Sequence, residues 1–322
     1  MKVLFISSGF TGIYPFFEDS IVAAFITLNH SIHKIAPKYT NETIEWIERF
    51  NPDFVLTFVG YKTDDQLLQL LKKNGAALGV WLTEDPYYID QSILLIEKYD
   101  YIFTIDLGAY EFYKRKFPAK NIHHLPLGSD PSLYYPSNSL IQDSLYDLCL
   151  VGYPYPNRID LINHILDQTS HTILLAGPNW KKYFNKKTDR LMILNQWMEP
   201  GVVRKIFSYS KIVLNPHRPF NFNKNQNSLG IESRSINNRT FDIAASGEFQ
   251  LIENKLDLSQ HFDTSQEIVP YGDFNECVHL IKQFVDDEQS RNFYRQNARE
   301  KLLKSHTFVH RVELLLKQIS EN

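Results

Sequence analysis

Ser235-Ile236-Asn237-Asn238-Arg239-Thr240-Phe241-Asp242-Ile243-Ala244-Ala245-Ser246-Gly247 begins with polar, hydrogen-bonding residues, runs into an apolar segment of helical spacing, and stops at a glycine. Glycine is the usual residue just past a helix end. The stretch therefore reads as a loop feeding a helix N-terminus, where free N–H groups and the positive end of the helix dipole point back at the loop and Arg239 adds a full charge. A diphosphate suits such a place. Asp242, about one turn further in, is set where a carboxylate accepts hydrogen bonds from a sugar's paired hydroxyls, as acidic residues hold ribose in dinucleotide folds. The same residues also describe an ordinary capped helix with Asp242 favouring its first turn. The flanking sequence has to discriminate.

At 322 residues the chain is long enough for two domains, and 22 Phe and 18 Tyr supply substantial cores. A net charge of −3 without a long Lys or Arg run gives nucleic-acid binding little electrostatic support. Met1-Lys2-Val3-Leu4-Phe5-Ile6-Ser7-Ser8-Gly9 carries one positive side chain and too short an apolar run for a signal peptide or a membrane span, and reads as a first β-strand. A cytoplasmic protein without a membrane span is expected. Cys149 and Cys277 stand in apolar contexts without partners at metal spacing, as buried thiols do in a reducing compartment. No Asp-x-Asp occurs and no His-x-x-x-His pair lies on a convincing helix, so neither a bound metal nor another cofactor is expected.

Val3-Leu4-Phe5-Ile6 is a continuous apolar run of strand length, followed by the Ser7–Gly12 turn and the helix-like 18–30 segment. Gly9 and Gly12 either let the backbone approach a ligand or only make the turn. Phe54–Gly60, Ala77–Leu82 and Tyr101–Ile105 are further buried strands, and His123–Gly128 reads as the last of the first half. Beyond Leu82 comes Thr83-Glu84-Asp85-Pro86-Tyr87-Tyr88, at the carboxyl end of a strand, where ligands sit in open α/β sheets. Glu84 and Asp85 are thus general-base candidates, with a plain Asp-Pro turn as the other reading.

Asp130-Pro131 to Ser144 is polar and proline-bearing and reads as a linker. A second strand–loop–helix series follows: Tyr146–Val151, then Gly152 to Arg158, then a helix over 159–167. Two Rossmann-like domains in tandem account for the repeat. Pro216-His217-Arg218-Pro219 leaves the 211–215 strand at the expected donor face. Arg218 there either pairs with phosphate bidentately or is simply solvated. Residues 220–234 read as a mobile polar loop, closing over a ligand or passive, and the last helical segment carries an apolar stripe suited to packing on the first domain.

Taken together these residues resemble the spore-maturation CgeB-like glycosyltransferases. Arg239–Gly247, Glu267-Ile268-Val269-Pro270-Tyr271, and Ser305-His306-Thr307-Phe308 with Arg311 look like that family's carboxyl-terminal signature. Trp81-Leu82-Thr83-Glu84-Asp85-Pro86 and Leu125-Pro126-Leu127-Gly128-Ser129-Asp130 look like its amino-terminal half. The resemblance implies an α/β fold of the GT-B type: two Rossmann-like domains facing across a cleft, an acceptor domain over 1–140, a donor domain over 145–305, and a crossover helix over 306–322. It also implies a metal-independent glycosyltransferase using a nucleotide-diphosphate sugar, a uridine one by the habit of the architecture, with a glycan, protein or small molecule as acceptor and spore-surface glycosylation as the setting.

Carried over by position, Asp242 matches the acidic residue that holds the donor ribose, and Arg239 with the Asn237-Asn238 amides meets the diphosphate. Arg158, His217, Arg218, Thr240 and Gly9 complete the donor-site candidates; Asp85, then Glu84, are the candidates for taking the acceptor proton. Two departures stand out. In the broader retaining group a second Glu lies eight positions before the ribose-binding residue, and here that position is Arg234, with Glu232 the nearest carboxylate. Asp also replaces the commoner Glu at 242. These departures leave room for a non-catalytic sugar-nucleotide or polysaccharide-binding protein, and a hydrolysing epimerase is a third reading on the same fold.

Overall fold

The computed structural model describes residues 1–137, 144–184 and 189–321. Val3, Leu4, Phe5 and Ile6 are all fully buried. Four consecutive apolar residues can all be covered only when both faces of a strand are packed, and that condition belongs to parallel sheets between helix layers. Accordingly β1 (Lys2–Ile6) pairs in parallel with both β2 (Ser31–Ile35) and β3 (Phe54–Phe58), and β4 (Ala77–Leu82), β5 (Tyr101–Thr104) and β6 (Asn121–His124) extend the sheet in the order β2-β1-β3-β4-β5-β6. Alternate side chains point to opposite faces. Leu4 and Ile6 join Val55, Leu78 and Val80 under Ile47, Leu67 and Leu71; Val3 and Phe5 join Phe58, Trp81 and Phe103 under Ile21 and Phe25.

That second face is also covered by the helix Phe308–Ser320, whose Phe308, Val312 and Leu315 share one stripe. Burying such side chains contributes roughly 1.5–3 kcal/mol each. The C-terminal helix thus packs on the first half of the chain, as its apolar stripe implies, with Phe308 6.0 Å from the Phe17 ring. Arg311, buried beside the stripe, donates to the Leu127 carbonyl at 3.2 Å.

The chain divides into two compact units, one of Met1–Leu127, Asn223–Ser235 and Phe308–Asn322, the other of Gly128–Phe222 and Ile236–Thr307. The first unit ends before the expected linker, whose residues 138–143 lie outside the described residues. In the second unit β7 (Tyr146–Val151), β8 (Ile173–Ala176), β9 (Leu191–Leu194), β10 (Ser210–Asn215), β11 (Gln250–Glu253) and β12 (Val269–Tyr271) form a parallel sheet in the order β12-β11-β10-β7-β8-β9. Read from β9, this is the strand order of dinucleotide-binding folds. Its direction reverses between β7 and β10, and ligands of such sheets sit beyond the carboxyl ends at the reversal.

Two strands escape a search for buried apolar runs. β2 and β9 lie at sheet edges, where one neighbour and half-burial suffice: β2 carries His33 and Lys34, and β9 leaves Met192 and Leu194 exposed. The expected strand over 123–128 ends instead at His124.

The polar segment read as a mobile loop is fastened within the first unit. Asp106 Oδ1 caps the helix Leu107–Lys116 by accepting from the Gly108 and Ala109 amides, while its Oδ2 accepts from Ser233 Oγ and from the amides of Arg234 and Ser235. Asp90 accepts from the amide and hydroxyl of Ser228. A side chain at Gly108 would stand 2.2 Å from the Glu232 carbonyl oxygen, so glycine is what lets this segment lie down there.

Candidate active site

β7 runs into Gly152, and β10 runs into Pro216-His217-Arg218, so the two loops meet at the strand reversal of the second unit. Gly152 has φ 141°, and a Cβ on it would lie 2.6 Å from Arg158 Nη1 and 2.8 Å from Arg239 Nη2. Two guanidinium groups therefore share the space over one bare stretch of backbone. Arg158 sits in the first turn of the helix Pro156–Gln168, where a cation opposes the helix dipole. It is held there by donating through Nη1 to the Tyr153 carbonyl at 3.0 Å and through Nη2 to the Pro216 carbonyl at 2.8 Å, which ties the two strand ends together. The Tyr155 ring lies 5.0 Å from the Arg158 guanidinium and 5.3 Å from that of Arg218.

Arg239 Nη1 donates to Asn215 Oδ1, a neutral oxygen, at 3.3 Å. Asn215, the last residue of β10, also accepts from Asn237 Nδ2 and donates to Thr240 Oγ1 and Gln250 Oε1, each at 3.0 Å. Asn237 Oδ1 in turn accepts from the Thr240 amide. The side chains of Asn237 and Thr240 are thus used to shape the loop, leaving the arginines to supply positive charge. The helix they lead into, Arg239–Ala245, has only seven residues, so its dipole adds less than the sequence suggests.

Asp242 is buried, and its carboxylate accepts from Ser129 Oγ at 2.8 Å and from Asn238 Nδ2 at 3.0 Å. Each oxygen keeps one lone-pair direction beyond these bonds. Burial pushes this carboxyl up to about 7, against the lowering pull of Ser129, Arg239 and Asn238. The His217 amide donates to Glu253 Oε2 at 2.8 Å, its carbonyl accepts from Asn157 Nδ2, and its ring Nδ1 lies 3.7 Å from the same Glu253 oxygen. Burial pushes Glu253 up, but the His217 contacts and Lys255 outweigh it and hold the carboxyl at about 2. An ionised Glu253 therefore clamps the His217 loop.

The first unit places the remaining candidates. Gly9 has φ 69°, and Lys62 Nζ donates to its carbonyl at 2.9 Å. The neighbouring Ser8 amide and hydroxyl both donate to Glu18 Oε1, at 2.8 and 2.6 Å. This glycine turn thus already holds a carboxylate where a phosphate-binding loop would hold its ligand. Arg234, at the eighth position before Asp242, likewise belongs to the first unit, where it pairs with Glu111 at 2.7 Å and Glu232 at 3.5 Å.

Asp85 is 1% exposed and accepts from Ser92 Oγ at 2.6 Å, Thr104 Oγ1 at 2.8 Å and Tyr113 OH at 3.1 and 3.2 Å. Its neighbour Glu84 is half-buried and accepts from Tyr14 OH at 2.5 Å. The sequence puts Asp85 ahead of Glu84 as a base; in the structure the lone pairs of Asp85 are turned into the fold, whereas Glu84 stands at a half-buried position. Burial pushes the Asp85 carboxyl from its ordinary 3.8 up to about 7, against the pull of its three hydroxyl partners. A carboxyl whose value is raised by folding stabilises the fold at low pH, and that contribution is lost as pH rises from about 4 through about 7. Asp85→Asn removes the loss, so the melting temperature of the variant should gain on that of the native chain between pH 5 and pH 8, by roughly 2–4 °C per kcal/mol. Asp242 and Glu248, also near 7, are common to both proteins and cancel in the difference.

Residues 158–317 match a family described as "Glycosyl transferase-like". Over 295 residues, 90% of each chain, the sequence is 36% identical to the spore protein CgeB of Bacillus subtilis (strain 168). The chain belongs to the CgeB-like glycosyltransferase family. Solved structures share its GT-B fold at 11% identity: sucrose-phosphate synthase from Thermosynechococcus elongatus (TM-score 0.69, covering 100% of this chain and 99% of that one), HepE from Anabaena in complex with UDP and glucose (0.67, 100% of each), and an alpha-glucosyltransferase in complex with UDP (0.69, 99% of each).

Within this CgeB-like chain the resemblance motif at 125–130 has a structural meaning that its sequence does not reveal. Ser129 is delivered to Asp242, and its amide donates to the His306 carbonyl, so three separated family motifs meet in the second unit. Asn215 and Gly152 are the other residues that sequence reading passes over; the signal for both is a polar residue or glycine at the carboxyl end of an apolar strand. Among the described residues, no group of three or more His, Cys, Asp or Glu is placed to hold a metal ion, and no helix is long and apolar enough to cross a membrane.

Proposed function

We propose that this protein transfers a sugar from a nucleoside diphosphate sugar, with uridine as the nucleoside, to an acceptor hydroxyl. The observation that carries the reading is the convergence of Arg158 and Arg239 over Gly152 at the strand reversal of the second unit, with Asp242 one helical turn beyond. In the transfer a bond forms between the acceptor oxygen and the anomeric carbon, and the bond from that carbon to the diphosphate breaks, its electron pair going to the leaving oxygen. Arg158 and Arg239 neutralise that oxygen's growing charge without a metal; such preorganised donors are typically worth a few kcal/mol each in the transition state. Asp242 accepts from the ribose hydroxyls through its remaining lone pairs, and Arg218 beside Tyr155 adds a third cation. Glu84 takes the acceptor proton.

Bound UDP in HepE and in the alpha-glucosyltransferase supports a uridine donor, and kinship with a spore protein supports an acceptor at the spore surface. Calorimetric titration with uridine, thymidine, guanosine and adenosine diphosphates, without and with magnesium, tests the reading. UDP is expected to bind at micromolar concentration in both conditions. Absence of binding by all four would overturn the donor site, and binding without turnover of any UDP-sugar would favour a non-catalytic sugar-nucleotide-binding protein.

A further inference from the structure

The first unit carries its own strand reversal, between β1 and β3, and the residues beyond it are chemically unlike those of the second unit. Phe10 follows β1, Tyr14 opens the next helix, Tyr61 follows β3, and Glu84 and Tyr88 follow β4; all five are half-buried. The Phe10 and Tyr14 rings lie 5.2 Å apart and those of Tyr61 and Tyr88 6.4 Å apart. Tyr14 OH donates to Glu84 Oε1, which places a carboxylate at the edge of the aromatic surface.

Anion binding here is closed off. The Ser8 amide and hydroxyl are taken by Glu18, and Lys62 donates to the Gly9 carbonyl and lies 3.9 Å over the Phe10 ring. Glu84 presents a carboxylate here from the loop after β4, while Asp85 is turned into the fold. A phosphorylated acceptor would meet the negative charge of Glu84 at the rim.

We propose that the acceptor is an uncharged saccharide whose ring lies on the aromatic shelf of Phe10, Tyr14, Tyr61 and Tyr88, with the reacting hydroxyl directed to Glu84. A pyranose offers an apolar C–H face and a hydroxyl rim, and it suits an aromatic surface with a few polar groups at its edge. This inference rests on the glycosyltransferase reading and gives its acceptor a chemical class.

The test uses the full chain. UDP binding is measured first by calorimetry; then, with UDP saturating, maltotriose, N-acetylchitotriose, glucose 6-phosphate and a Ser/Thr-rich peptide are titrated against the native protein and against Phe10→Ala and Phe10→Tyr. At least one neutral oligosaccharide is expected to bind at least tenfold more tightly than either the sugar phosphate or the peptide. Phe10→Ala should weaken that oligosaccharide at least tenfold with UDP affinity unchanged, which also shows that the variant is folded, and Phe10→Tyr should retain it. UDP binding accompanied by a preference for the sugar phosphate or the peptide, by no binding of either neutral oligosaccharide, or by indifference to Phe10→Ala overturns the shelf while leaving the donor reading intact. Failure of the native protein to bind UDP overturns the donor reading, and the acceptor assignment falls with it.

Discussion

Replacing Arg239 by alanine is expected to weaken UDP binding by about 10- to 100-fold. A hydrogen bond to a charged group contributes roughly 1.5–3 kcal/mol, and each 1.4 kcal/mol is about a factor of ten in affinity. The loss should be nearly all in binding rather than in folding, because among the described residues the hydrogen bond that the Arg239 side chain makes, to Asn215, is a long 3.3 Å. Arg158→Ala makes the contrast. It would strip the Tyr153 and Pro216 carbonyls of their donor inside the fold, so that weaker binding would come with lower stability. Arg239→Lys keeps a point charge without the planar fork and should fall between native and alanine. Calorimetry of the three variants, with melting temperatures alongside, separates these outcomes; an Arg239→Ala protein that binds UDP as the native chain does would remove the diphosphate from this place.

Glu84→Gln should lower kcat by roughly 10²–10⁴-fold, the usual range for losing a general base, while leaving UDP affinity unchanged. Gln keeps the shape and can still accept from Tyr14, so the loss isolates the missing basic oxygen. Tyr14→Phe removes the 2.5 Å hydrogen bond that aims the carboxylate and should cost less than Glu84→Gln. Single-turnover transfer from UDP-sugar, compared with UDP titration of the same preparations, reads both quantities. Full activity of Glu84→Gln would mean that the proton goes elsewhere.

These predictions depend on facts that a linear reading could not supply. A glutamate and an aspartate that are neighbours in sequence point to opposite environments, Glu84 to a half-exposed tyrosine edge and Asp85 to three hydroxyls inside the fold. Nothing in their spacing separates them, since adjacent residues leaving a strand share every local signal. Arg234 looks like a broken carboxylate spacing on the line of the sequence, yet it is held by Glu111 and Glu232 within the first unit.

By itself the sequence determined two parallel α/β sheets, the strand ends at which chemistry gathers, and Arg239 and Asp242 in the first turn of one short helix. Apolar runs such as Val3–Ile6 can be buried only between two helix layers, and that constraint is local enough to read. Only the tertiary structure decided that Ser129 reaches Asp242, that Arg158 and Arg239 meet over Gly152, and that residues 223–235 belong to the first unit. The Ser129–Asp242 bond spans 113 positions, and a contact of that length leaves no period or propensity in the chain; it exists because sheet order and connection handedness bring distant strand ends to one place.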